Sequence, residues 1–322
     1  MVTGGAGFIG SHLSENLVRL GAKVTVIDSL ENGTAENLSS VFDKLSLVKA
    51  NLLDSNECAK ACAGMDVVIN LAAKVAGVSY NAVHSADMFR INVKIGLNVL
   101  DAARIADVQR VVSVSSACVY SGNSTVPTPE EEGFFDEPEQ SNLGYGWAKR
   151  FIEIQSRLYV QQYGMDIAIV RPFNTYGPRD HFSQDGHVIP SLIRRALEGE
   201  NPLVVWGDGT QTRSFVYVTD VARGLVLAAE KAPAADPINI GNPEEVAIAS
   251  LANLVIRIAN PRISVQFDTS KPKGQQKRCP NNEKAKRTLG YYSTVNLDDG
   301  IKRTVDWYET KMVRNPVPLS SS

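Results

Sequence analysis

The chain has 322 residues, 43% of them hydrophobic and 21% charged, with 24 glycines and 15 prolines. This is the profile of a globular protein of about two domains, and it excludes collagen-like, low-complexity and largely disordered classes. Lysine and arginine total 33 against 35 aspartate and glutamate, a net charge of −2, so no bulk positive field exists to hold nucleic acid.

Only Met1 and Val2 precede a glycine-rich stretch, so the first strand is either a stub or belongs to a sequence that begins a few residues late. Helical spacing of apolar residues predicts a helix over 8–20. Short β-branched runs predict strands at 23–27, 45–50, 66–71, 110–114 and 166–170, with helices at 88–105 and 145–163 between them. The alternation predicts an α/β fold built on a doubly wound parallel sheet. The segment 125–140 holds Pro127, Pro129 and Pro138 and the run Glu130, Glu131, Glu132, which is loop composition with solvated charges. Further helices are expected at 188–198, 221–230, 248–259 and 297–309.

These elements divide the chain into a first domain, 1–171, a smaller C-terminal α/β lobe, 172–315, not strictly contiguous in space, and a frayed tail, 316–322. No apolar run approaches the ~18 residues of a membrane span, and no leader pattern opens the chain, so the sequence reads as cytoplasmic. Cys58, Cys62, Cys118 and Cys279 are too few for a disulfide framework. Together with His12, His84, His181 and His187 they show no zinc spacing, so no metal is expected. Cys58 and Cys62 read as one face of a short helix.

The stretch Thr3-Gly4-Gly5-Ala6-Gly7-Phe8-Ile9-Gly10 places Gly4, Gly7 and Gly10 between a strand and a helix. A pyrophosphate needs such glycines, because the turn must be tight and the backbone must approach the anion at a helix amino terminus. Asp28 ends the next strand, where a carboxylate binds the hydroxyls of a ribose and repels a 2′-phosphate. The expected cofactor is therefore NAD on a Rossmann-type domain.

With this stretch stand Asn70-Leu71-Ala72-Ala73, Ser116-Ala117-Cys118-Val119-Tyr120, Tyr145-Gly146-Trp147-Ala148-Lys149 and Arg171-Pro172-Phe173-Asn174-Thr175-Tyr176-Gly177-Pro178. Together they resemble the extended short-chain dehydrogenase/reductase superfamily, the NAD-dependent nucleotide-sugar epimerases and dehydratases, from the glycine turn to about residue 310. The resemblance implies that Gly4, Gly7, Phe8, Ile9, Gly10, Asp28, Asn51, Leu52, Leu71, Ala72, Ala73, Tyr145, Lys149 and Pro172 hold the cofactor. It also implies that Ser116, Asn174, Val188, Arg213 and Arg278 meet a nucleotide sugar. Asn51 stands where the family usually has an Asp at the adenine amine, and Asn281 replaces another frequent Asp. Homodimerisation through the helices 88–105 and 145–163 is expected.

Residues four apart share a helix face, so the Lys149 ammonium can lower the pKa of the Tyr145 phenol and make it a proton shuttle. By the resemblance, Ser116 hydrogen-bonds the reacting oxygen. The dehydratases of the superfamily carry an Asp-Glu pair where this chain has Cys118-Val119, which disfavours dehydration. Cys118 with His187, in Gly186-His187-Val188-Ile189-Pro190, resembles instead the branch of GDP-fucose synthases and GDP-mannose 3,5-epimerases. A thiol and an imidazole suit acid/base work on opposite faces of a ring carbon. The expected reaction is transient oxidation at C4 by Tyr145, Lys149 and Ser116, with epimerisation at C3 or C5 by Cys118 and His187, on a nucleotide sugar with GDP favoured. His181 is a weaker candidate for the acid. Alternatives are an epimerase-reductase, a UDP-hexose 4-epimerase and a non-catalytic NAD-binding sensor. Blandly, Cys118 is a small core residue and His187 a helix cap.

Overall fold

Valine and isoleucine stack well on a pleated surface that is covered on both faces, and the β-branched runs do become a parallel sheet. The computed structural model describes residues 1–183, 186–271 and 275–314. The expected tail, 316–322, lies outside the described residues. Six strands come from the first half of the chain: β1 (Val2–Thr3), β2 (Val24–Asp28), β3 (Leu45–Lys49), β4 (Val67–Asn70), β5 (Arg110–Val114) and β6 (Ile167–Pro172). Between them run α1 (Phe8–Arg19), α2 (Ser55–Cys62), α3 (Val78–Val83), α4 (Ser85–Ile105) and α5 (Leu143–Tyr163).

The remainder folds as β7 (Thr175–Tyr176), α6 (Val188–Leu197), β8 (Leu203–Trp206), β9 (Thr212–Ser214), β10 (Val216–Tyr217), α7 (Val218–Lys231), β11 (Ile238–Ile240), β12 (Glu245–Ala247), α8 (Ile248–Ala259), β13 (Val265–Asp268), β14 (Lys277–Arg278), α9 (Glu283–Leu289) and α10 (Leu297–Arg314).

The central sheet has the order β11-β6-β5-β4-β1-β2-β3, with every neighbouring pair parallel. Strand order reverses between β1 and β4, and ligands of such sheets sit at that reversal, beyond the carboxyl ends of the strands. β1 is a two-residue stub, and the Met1 ammonium donates to the Val67 carbonyl at 2.7 Å. One apolar core, from Leu13 through Val112 to Leu225, covers the sheet with α1 and α7. A second, from Cys58 through Val99 to Ile152, covers the other face with α2, α4 and α5. A third core fills the smaller lobe between α6, α8 and α10.

The chain does not stay in the smaller lobe after β6. It returns through α7, which packs on α1, β5 and β6, and β11 then pairs with β6 at the sheet edge. The loop 125–140 departs from its expected solvation. Glu130 is buried and accepts the Asn239 N–H at 2.9 Å, because the returning β11 brings an unpaired amide beneath it. Cys58 and Cys62 are buried together on α2, and burial pushes their thiols up to about 12 and about 11. Among the described residues, no helix is long and apolar enough to cross a membrane.

Candidate active site

One cavity of about 1480 Å³ runs across the carboxyl ends of the strands, and every site residue expected above lines it. That is more room than a single small ligand needs. Asn281 is not among the lining residues; its side-chain oxygen accepts the Glu283 N–H at 2.9 Å.

The glycine turn is required sterically. Gly4 holds φ +63°, and a Cβ there would meet the Ala72 backbone at 3.0 Å. A Cβ on Gly10 would stand 2.1 Å from the Gly4 carbonyl oxygen, so α1 can start this close to β1 only with glycine. Gly7 caps α1 with no side-chain hydrogen bond, which leaves first-turn N–H groups for an anion. Asp28 is buried, and its two carboxylate oxygens accept the Ala6 and Leu30 N–H groups, both at 2.9 Å. A carboxylate has about four acceptor sites, so capacity remains for ribose hydroxyls. Asn51 turns its side-chain oxygen to the Leu53 N–H at 3.0 Å. Glycine turn, open helix end and ribose acid fit a dinucleotide.

Asn92 was not anticipated. It is buried on α4, accepts the Lys74 N–H at 2.9 Å and donates to the Lys74 carbonyl at 3.0 Å. It thereby pins the strand end that carries Ala72 and Ala73. Its signal in the sequence is a polar residue in the apolar stripe Met88, Asn92, Gly96, Val99.

Tyr145 and Lys149 share one face of α5, with the ammonium 5.5 Å from the phenol ring centre. Lys149 donates to the Val114 carbonyl at 2.8 Å. Burial lowers its ammonium to about 8, with Cys118 and Glu153 opposing the fall. The Tyr145 phenol departs from expectation. Burial pushes it above its ordinary value, Cys118 adds to the rise, and only the hydrogen bond with Ser116 acts against it. Desolvation of the phenolate dominates here. The Ser116 hydroxyl also accepts the Cys118 N–H at 3.1 Å, which keeps Ser116, Cys118 and Tyr145 in one corner.

His187 occupies the N-cap position of α6, its carbonyl accepting the Ser191 N–H at 3.0 Å, but its side chain makes no capping hydrogen bond. Its Nδ1 lies 3.1 Å from Oδ1 of Asp180, whose side chain is fully buried. That carboxylate raises the imidazole above its ordinary value, against the effect of burial. Asp180 lies in a loop and was not anticipated; nothing periodic marks it. It also accepts the backbone N–H of His181 at 2.8 Å. Cys118 is half-exposed rather than part of a core.

At the far end, β14 lies parallel to β9 with Arg278 in register with Arg213. Burial and the Arg278 guanidinium lower Arg213 to about 10. Arg213 donates to the Thr212 carbonyl at 2.7 Å, while Arg278 pairs with Glu139 and donates to Gln275 at 3.0 Å. Two half-buried guanidiniums in one wall suit a diphosphate. Asn174, beside them, donates to the Ser214 carbonyl at 2.8 Å.

Fold and cleft together define an enzyme of the extended short-chain dehydrogenase/reductase class. The chain belongs to the NAD dependent epimerase/dehydratase family, whose model it matches over residues 1–241. It is 31% identical over 313 residues to a dTDP-4-dehydro-6-deoxy-D-allose reductase of a Streptomyces species, covering 96% of this chain and 95% of that protein. It is 32% identical to a UDP-N-acetyl-alpha-D-glucosaminuronate decarboxylase of Bacillus cytotoxicus, covering 96% and 97%. The structure superposes on the UDP-glucose 4-epimerase of Thermotoga maritima with a TM-score of 0.88, at 29% identity over 97% of this chain and 98% of that one. These relatives are named for dTDP and UDP sugars, so the expected preference for GDP finds no support in them.

Proposed function

We propose that the protein is an NAD-dependent nucleotide-sugar epimerase that oxidises its substrate transiently at C4 and exchanges protons at a neighbouring ring carbon. The first domain holds the dinucleotide and the smaller lobe the nucleotide sugar, with Arg213 and Arg278 on its diphosphate. When bound, NAD supplies the acceptor and later the donor of the C4 hydride. Tyr145 takes and returns the C4 hydroxyl proton, Ser116 hydrogen-bonds the C4 oxygen, and Lys149 stabilises the phenolate once Tyr145 has lost its proton. A ketone at C4 acidifies the neighbouring C–H bonds. Cys118 removes such a proton, and His187 delivers one to the opposite face.

The observation that carries this reading is the Asp180–His187 pair, at 3.1 Å, in the cavity that also holds Cys118 and Tyr145. A buried carboxylate on Nδ1 raises an imidazole's proton affinity and leaves Nε2 to act as an acid. The names of the relatives make UDP and dTDP hexoses the first substrates to assay.

Turnover in heavy water tests the proposal. Deuterium is expected at C3 or C5 of the product, and its absence alongside inversion at C4 would identify a plain 4-epimerase. Tyr145→Phe is expected to lose turnover by at least ~100-fold while still binding NAD; wild-type turnover in that variant would end the catalytic reading. The Streptomyces relative's name favours a second reading, an epimerase-reductase, in which external NAD(P)H is consumed stoichiometrically.

A homodimer through the outer faces of α4 and α5 is part of the proposal. Trp147, Phe151, Ile154 and Leu158 recur at i, i+4, i+7 and i+11 on α5, and each is at least 37% exposed. Such a stripe on a helix calls for an apolar partner.

A further inference from the structure

Beneath the cleft, α5 and the end of β5 are joined by Lys149 and by further side chains that the reaction itself does not use. Lys149 donates to the Val114 carbonyl at 2.8 Å. One turn further along the same helix face, Glu153 accepts the Ser115 hydroxyl at 2.5 Å. The two residues before Ser116 are thus each tied to α5. Glu153 is 0% exposed and makes a two-pronged pair with Arg171 of β6, through Nε at 2.8 Å and Nη2 at 2.7 Å. Arg171 is equally buried and gives Nη1 to the Tyr120 hydroxyl at 2.8 Å and to the Glu130 carbonyl at 2.7 Å. Tyr120 in turn donates to Asn239 of β11 at 2.6 Å. Of Glu153, Arg171, Tyr120 and Asn239, none lines the cavity.

We infer that Glu153 is a positioning residue for the active site, acting from the closed side of its floor through Ser115 and Lys149. The inference rests on the catalytic reading of Tyr145 and Lys149 given above. Two things follow from the geometry. The Ser115 bond fixes the backbone that presents Ser116, and the carboxylate supplies a negative charge on the side of Lys149 away from substrate.

The groups that face Lys149 are Tyr145 and Glu153 from its own helix and Cys118 from the turn after β5, while β5 itself offers the Val114 carbonyl. Burial lowers the Lys149 ammonium, and Glu153 holds it up together with Cys118. Glu153 is faced by Arg171 from β6, by Arg150 and Arg157 from α5 and by Tyr120. Arg171 binds it two-pronged and so holds the carboxylate in place.

The test is the pH profile of kcat/KM in the full-length protein. As pH rises, activity falls when Lys149 loses its proton. Glu153→Gln is expected to move that alkaline limb down by about one pH unit, and Glu153→Asp, which keeps the charge, is expected to leave it in place while lowering kcat. A folded Glu153→Gln protein with the wild-type limb overturns the inference, and so does a Glu153→Asp limb that moves as far as that of Glu153→Gln. Should Glu153→Gln fail to fold around an unpaired Arg171, Glu153→Met/Arg171→Met removes both buried charges together, an exchange that proteins often tolerate. A smaller downward shift is expected of it, because the Arg171 cation that opposes the carboxylate leaves with it, and an unmoved limb overturns the inference. Wild-type turnover in Tyr145→Phe would instead defeat the catalytic reading. An inactive Tyr145→Phe with an unmoved Glu153→Gln limb defeats only the positioning role.

Discussion

His187 caps α6 through its backbone alone, and its ring is turned instead toward Asp180, seven residues earlier and out of contact with solvent. The carboxylate orients the imidazole and raises its proton affinity, so at neutral pH a larger share of His187 is cationic than for an isolated histidine. Asp180→Asn removes that attraction, and the imidazole becomes a weaker base. We expect this variant to incorporate ring deuterium about 10-fold more slowly at pH 7, with the loss deepening as pH rises and the half-reaction at C4 unchanged. Equal incorporation in variant and wild type would show that Asp180 only shapes its loop. Residues of this kind define what could be read in advance. The glycine turn and the Tyr145–Lys149 spacing were legible because their chemistry is local, and Ser116 only through the motif it shares with the superfamily. Asp180 with His187, and Glu153 with Arg171, are joined across loops or between an interior helix and a strand, where no periodicity announces a partner.

Helices α4 and α5 were legible at element scale for a different reason: each runs 21 residues, long enough for an apolar stripe to repeat several times. They begin three and two residues before the predicted positions, at Ser85 and Leu143. Strands β9 and β14 have three and two residues, too short for any alternation, although they bring Arg213 and Arg278 side by side. The contact between α4 and α5 depends on Gly96. A Cβ there would stand 2.6 Å from Cγ1 of Ile152 and 2.8 Å from its Cδ1, and a β-branched side chain has little freedom to move aside. Overpacking of this kind costs about 1–3 kcal/mol, while alanine returns about 1 kcal/mol of helix propensity. Gly96→Ala is therefore expected to lower stability by about 1 kcal/mol, read from the midpoint of urea unfolding; a higher midpoint would mean that α4 and α5 separate freely.

On the scale of the molecule, the outer faces of α4 and α5 leave Phe89 and the stripe from Trp147 to Leu158 uncovered. A stable interface needs about 1,200–2,000 Å² of total buried surface, and two such helix pairs face to face supply the elements for it. Sedimentation of the wild-type protein is expected to give twice the protomer mass. Phe151→Lys/Leu158→Lys is expected to sediment as a folded protomer, and a wild-type protein of single protomer mass would exclude the interface. The doubly wound sheet was legible from the strand spacing, whereas its last strand was not, since Ile238–Ile240 is short and follows a stretch that reads as the smaller lobe.

That returning strand has a bearing on synthesis. The ribosome completes β6 long before it reaches β11, so during elongation β6 stands as an open edge with unpaired backbone groups, and its neighbour α7 is also still to come. The nascent nucleotide-binding half therefore cannot close early and wait. It has to shelter a sticky border until dozens more residues have emerged, and its exposure to misassembly lasts as long as that delay.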